Sequence, residues 1–198
     1  MLKQLILSSL FVISAFAHQF DINVNDKDVE GKFAYSMGSM GGSLSDFSLG
    51  AHFLDAERGQ KGITSSDPLF ELTMLATAPA NQLPANAIPG LMLGLGVKAS
   101  FTSLNGHQYT AIPLGIEASV PLPIESTFPI RIGGVLYYAP SSLSLQSADG
   151  YLERRMYFDF ELIENGKLEL GYRASNTDLK DTNITYNDAW YFGMKLKF

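Results

Sequence analysis

Counting back from Phe198, apolar side chains recur at every second position, Leu196, Met194, Phe192 and Trp190, whereas Lys197, Lys195, Gly193 and Tyr191 fall between them. Strand side chains point alternately to two faces, so this parity predicts a strand with one apolar and one polar face. The same alternation fills 90–103, where Leu91, Leu93, Leu95, Val97, Ala99 and Phe101 share a face opposite Met92, Gly94, Gly96, Lys98, Ser100 and Thr102. Twelve residues at about 3.3 Å each reach roughly 40 Å, more than most strands of a soluble sandwich need. Tilted strands that cross a bilayer do need that reach.

Further runs follow the rule. Residues 108–120 set Ile112, Leu114, Ile116, Ala118 and Val120 against Gly115, Glu117 and Ser119, with Pro113 expected to cause a bulge or weakened pairing. Residues 129–139 set Ile130, Ile132, Gly134, Leu136 and Tyr138 against Arg131, Gly133, Val135 and Tyr137. In 151–162, Leu152, Met156, Phe158, Phe160 and Leu162 oppose Tyr151, Glu153, Arg155, Tyr157, Asp159 and Glu161, with Arg154 breaking the apolar face where the membrane boundary would lie. In 167–175, Leu168, Leu170 and Tyr172 oppose Glu169, Gly171 and Arg173, and Asn165-Gly166 before them is a hairpin signal. Earlier candidates are 19–25, 30–40, 43–54 and 68–78.

These runs predict an all-β, antiparallel transmembrane β-barrel of about ten strands, with eight as the alternative. Bacterial single-chain barrels have an even count and short periplasmic turns, so nine is excluded. Parity puts the turns at Asn165-Gly166 and at 121–123 on the periplasmic side, 140–150 and 176–186 outside, and 78–89 as a long periplasmic loop. A soluble sandwich or lipocalin-like barrel would also alternate, but its interior would be apolar. Here the polar face carries Lys98, Glu117, Arg131, Glu153, Arg155, Asp159, Glu161, Glu169, Arg173 and Lys195, which are expected to line the lumen. Tyr137-Tyr138, Tyr151, Tyr157-Phe158 and Trp190-Tyr191-Phe192 are expected to form aromatic belts at the strand ends.

The first seventeen residues, MLKQLILSSLFVISAFA, have the basic, apolar and small-residue layout of a cleaved signal peptide, leaving 18–198 as one outer-membrane barrel domain. No cysteine is present, so the fold is not stapled. The formal net charge of −6 is scattered, which argues against nucleic-acid binding. The glycine-rich 36–43 lacks a phosphate loop's lysine and is read as a turn. His18, His52 and His107 leave room for a lipid-directed hydrolase using His52 or His107, but no enzyme, metal or cofactor is expected.

The segment "GVLYYAPSSLSLQSADGYLERRMYFDFELIENGKLELGYRAS" (134–175) resembles the YfaZ family of outer-membrane proteins, with weaker similarity from about 33 to 120 and a departure at 78–89. The resemblance implies a bacterial outer-membrane barrel without established enzymatic activity, and it supplies no catalytic or binding residues. Tyr191, Phe192, Met194, Leu196 and Phe198 look like the terminal assembly signal read by the barrel-assembly machinery. The expected function is a narrow porin-like pore with a charge-lined lumen. The alternative is a closed structural barrel meeting lipopolysaccharide or partners through its outer loops, and the expected surroundings are outer-membrane lipid and lipopolysaccharide.

Overall fold

The computed structural model describes residues 18–39, 45–56, 67–80, 88–124, 126–180 and 182–198. The expected signal peptide and part of the 36–43 turn lie outside these residues. Twelve strands form one sheet: β1 (Gln19–Val24), β2 (Val29–Ser39), β3 (Asp46–Asp55), β4 (Leu69–Pro79), β5 (Met92–Leu104), β6 (His107–Ala111), β7 (Leu114–Pro121), β8 (Ile130–Ala139), β9 (Ser144–Gln146), β10 (Ala148–Ile163), β11 (Gly166–Leu179) and β12 (Thr185–Lys197). All pairings between these strands are antiparallel. Pairing of β1 with β12 and of β4 with β5 closes the sheet on itself.

The closed wall has ten strand positions, because β6 and β7 together fill one and β8 and β9 together fill the next. Both β6 and β7 pair with β5 and part at Ile112-Pro113. Proline has no N–H to give the ladder, and here the Pro113 carbonyl accepts from the Lys98 amide at 2.9 Å while the Ile112 amide turns to the Leu143 carbonyl at 2.8 Å. The short β9 pairs with β6 beyond the end of β8. The start of β1 and the end of β12 lie at one end of the barrel, the terminal end, with the turn at 164–165 and the pairs Pro79↔Met92 and Pro121↔Arg131. The opposite, distal end holds the turns after β1 and β5 and the connections 140–147 and 180–184.

Burial is inverted relative to a soluble sheet. Along β4, Glu71 is 1% exposed, whereas its neighbours Phe70 and Leu72 are 54% and 60% exposed. Leu95, Ile116, Met156 and Trp190 stand on the same outer surface around the wall. A closed barrel leaves no unpaired edge along its paired length, so backbone polar groups there are satisfied within the wall while apolar side chains face outwards.

Two expectations need correction. The loops expected at 140–150 and 176–186 are shorter than that, because β10 starts at Ala148, β11 runs to Leu179 and β12 begins at Thr185. At that end the strands keep pairing with polar residues such as Arg154 and Asn176 on the outer side, since pairing does not require an apolar face. The expected aromatic belts are only half present: Tyr138, Phe158, Trp190 and Phe192 are exposed outside, but Tyr137, Tyr151 and Tyr191 are buried inside and Tyr157 points into the cavity. In each adjacent doublet the period of two sends one ring outwards and the other inwards.

Inward tyrosines sit opposite inward glycines. Tyr137 pairs in register with Gly115, Tyr157 with Gly133 and Tyr191 with Gly171. A Cβ on Gly115, Gly133 or Gly171 would lie 2.2–2.4 Å from the facing ring, so each ring lies flat in the space its glycine leaves.

Candidate functional site

The interior has three levels. At the distal end Leu54, Leu69, Leu104, Tyr109, Ala111, Ala139, Ala148, Ile184 and Tyr186 form one buried apolar cluster. Tyr186 lies on the distal half of β12, beyond the last β1–β12 pair, Val24↔Phe192. Its hydroxyl donates across to the Leu54 carbonyl at 3.2 Å and the Asp67 carbonyl at 3.0 Å, tying β12 to the ends of β3 and β4. The Asn25 side chain donates to the Trp190 carbonyl at 3.1 Å, closing the seam above the short β1.

Below that seal lies a layer of buried charge. The Glu30 carboxylate meets Arg155 Nη2 at 2.5 Å, Arg173 Nη1 at 2.5 Å, His52 Nε2 at 2.6 Å and the Asn23 amide at 2.6 Å. His52 Nδ1 lies 2.6 Å from Glu71, which also accepts from Lys98 at 3.1 Å, Ser100 at 2.7 Å and Tyr151 at 2.8 Å. Lys98 bonds Glu153 as well, and Glu153 lies 3.5 Å from Arg155. Followed in order, Glu30, His52, Glu71, Lys98, Glu153 and Arg155 make a closed ring in which acidic and basic side chains alternate. The ring draws on β2, β3, β4 and β5 on one side and β10 on the other, so it crosses the lumen. Arg173 extends it to Asp28, 3.7 Å away, and to Asn187, which accepts from Nε at 2.8 Å.

Burial of single charges is costly, and alternation around a ring gives each one an opposite neighbour and further hydrogen bonds. The cations also lie on the inward tyrosines: Lys98 is 4.3 Å from the Tyr137 ring centre, Arg155 and Arg173 are 5.3 Å and 5.6 Å from Tyr191, and Lys195 is 4.4 Å from Tyr157. Glycine, tyrosine and cation thus stack in order from wall to lumen.

Towards the terminal end the lumen widens into a cavity of about 560 Å³. Its floor includes His52, Lys98, Glu153 and Arg155, and its lining continues to Gln19, Asn165 and Lys197 at the rim. Lys195 bonds Asp159 at 3.0 Å and also Glu169, to which the Tyr191 hydroxyl donates at 2.6 Å. Glu117 accepts from Tyr137 at 2.9 Å, and Arg131 donates to the Ser119 hydroxyl and Gly90 carbonyl, both at 3.3 Å.

The ten sequence-selected charges fall at different depths. Lys98, Glu153, Arg155 and Arg173 belong to the buried layer, while Glu117, Arg131, Asp159, Glu169 and Lys195 line the cavity. Glu161 sits at the terminal edge, half-exposed and 3.1 Å from Lys167. Sequence reasoning passed over Glu30 and Glu71, the two carboxylates on which the ring turns, and Lys32 and Asp21. Parity was the signal, since Glu30 and Lys32 alternate with Gly31 and Phe33, and Glu71 with Phe70 and Leu72. Asp28 and Asn187 keep the same parity, two residues before Glu30 and four before Tyr191, whereas Tyr186 gave no such signal, because the irregularity after the Ser175↔Asn187 pair turns it inwards.

His52 has both ring nitrogens against carboxylates, which leaves neither directed at a serine hydroxyl. His107 and His18 are exposed, the latter stacked on Tyr35. Of the terminal residues, Phe192, Met194 and Phe198 face outwards and Tyr191 faces inwards beside Glu169. Among the described residues no group of histidine, cysteine and acidic side chains has the geometry to hold a metal ion.

A family model described as YfaZ precursor matches residues 84–198, more than half of the chain. No curated protein and no solved structure matches the chain.

Proposed function

The chain belongs to the YfaZ family, and from that membership together with its closed, apolar-faced barrel we propose that it is an integral protein of the bacterial outer membrane whose lumen is shut. The apolar outer surface suits lipid on all sides, and the even number of wall positions suits a bacterial barrel. The carrying observation is the ring Glu30–His52–Glu71–Lys98–Glu153–Arg155, which occupies the middle of the lumen beneath an apolar seal. A ten-stranded barrel leaves little width once side chains enter, and here paired charges and rings fill it.

This reading favours the closed barrel over the narrow pore. The protein then acts from its two ends: the distal ends of β10 and β11, which keep pairing as far as Ala148 and Leu179, meet lipopolysaccharide or partners outside with the neighbouring connections, and the cavity faces the periplasm. The ring residues act as structural pins rather than as an ion filter, and His52 serves as a link between two carboxylates rather than as a catalytic base. Recording currents from the full chain folded in a planar bilayer tests this. The expected trace is silent, and reproducible unitary steps would restore the pore reading.

A further inference from the structure

The cavity at the terminal end is larger than a structural void and has the size range of small-ligand sites, roughly 300–1,000 Å³. Its two sides differ. The β3–β4–β5 side presents Ser48, Thr73, Thr77 and Met92, which are uncharged, and three of these carry hydroxyls. The remaining wall is charged, with seven lysines and arginines and five aspartates and glutamates in the lining; of the seven, Lys98, Arg155 and Lys167 pair with Glu71, Glu30 and Glu161, which lie outside it.

The pairing of those charges is also uneven. Asp159 and Glu169 are satisfied by Lys195 and Glu153 by Lys98, while Glu117 accepts from the Tyr137 hydroxyl and Asp21 from the Gln19 amide. Arg131 stands in register with Asp159 on the neighbouring strand, yet its recorded bonds come from one terminal nitrogen and go to neutral oxygens 3.3–3.5 Å away. Among the described residues, neither Arg131 nor Lys197 forms an ion pair with a side-chain carboxylate, and Lys32 reaches only Glu30, at 3.6 Å, which two arginines already neutralise. A cation without a carboxylate partner in a cleft attracts anions locally, and a guanidinium fork suits the two oxygens of a carboxylate or phosphate.

We propose that this cavity is a binding site, entered from the terminal end, for a sugar-sized solute bearing one oxyanion, with Arg131 and Lys197 holding the anion and Ser48, Thr73 and Thr77 meeting its hydroxyls. The inference rests on the closed-lumen reading, because a floor is what turns a channel into a site. Phosphate and carboxylate share the required chemistry, and the probes separate them.

The test is calorimetric titration of the folded full chain in detergent with glucose 6-phosphate, glucuronate and glucose. At least one charged sugar is expected to bind, glucose to show no heat, and Arg131→Gln to weaken binding more than tenfold while Arg131→Lys weakens it less. Lys197→Gln, at an exposed rim position, provides a second variant should Arg131→Gln fail to fold, with the same tenfold criterion. Absence of binding by both charged sugars, equal binding of glucose, or unchanged affinity in the folded variants overturns the proposal. Bilayer recordings on the same preparation separate the two readings: unitary currents remove the closed lumen, whereas silence without binding removes the ligand site alone.

Discussion

The two halves of the lumen use the same kinds of residue to opposite ends. In the terminal half, Lys195, Asp159, Glu117 and Arg131 line a space of about 560 Å³ and keep some donors and acceptors turned towards it. In the middle and distal half, Glu30, Glu71, Lys98, Glu153, Arg155 and Arg173 turn on each other until almost no surface remains, and apolar side chains close the end. Position along a strand sets the difference. Side chains at the level of His52 converge from facing walls and meet, whereas those nearer the rim find partners on the same wall, one or two strands away, and leave the axis free.

The sharpest way to break this comparison is at the ring. Glu30→Ala leaves Arg155 and Arg173 without their shared counter-charge and removes the carboxylate beside His52 Nε2, and loss of one partner from a buried ion cluster costs about 3–5 kcal/mol. Urea unfolding of the barrel in lipid vesicles reads that loss as an earlier midpoint, and a midpoint within error of the parent would show that the ring does not hold the halves apart. Gly115→Ala comes next. Its Cβ would lie 2.3 Å from the Tyr137 ring, and overpacking of this kind costs about 1–3 kcal/mol. Gly31→Ala, which meets nothing within 4 Å, is expected to leave the midpoint where it was.

Smaller effects belong to the ends. Tyr186→Phe removes the hydroxyl that bonds the Leu54 and Asp67 carbonyls, at about 0.5–1.5 kcal/mol for a bond of this type. Faster cleavage near Ile184 by protease added on the distal side is the accompanying sign. Lys167→Ala breaks a pair with Glu161 that is open to solvent at the terminal edge, and its effect should stay below about 1 kcal/mol in the same urea assay. A large effect at Lys167 together with a small one at Glu30 would invert the comparison.

Much of this architecture was legible from parity. The alternation of Leu91 to Phe101 and of Trp190 to Phe198 identified the wall and its outer face, and Pro113 marked the place where one ladder position splits into β6 and β7. Parity also carries a side chain to the correct face, which is why the charges of β10 and β11 fall inside. It says nothing about depth along the axis or about what lies across the lumen. The ring joins Glu30 to Arg155 over 125 positions of sequence, and no local pattern reports that meeting. The tyrosines show the other limit. Treating Tyr157-Phe158 and Tyr191-Phe192 as belts overlooked that adjacent strand residues face opposite ways, while the glycines at 133 and 171 that receive the inward rings are apparent only once register is known.

The most direct test of a floor between the two halves uses the chain's lack of cysteine. Ser119→Cys, on the cavity wall, and Ser100→Cys, in the ring layer beside Glu71, are folded into vesicles and exposed to a charged, membrane-impermeant thiol reagent added to one side at a time. A closed lumen predicts that Ser119→Cys reacts only from the terminal side and that Ser100→Cys resists from both. Reaction of Ser119→Cys at equal rates from either side would mean that solvent crosses the ring, and the lumen would have to be read as open.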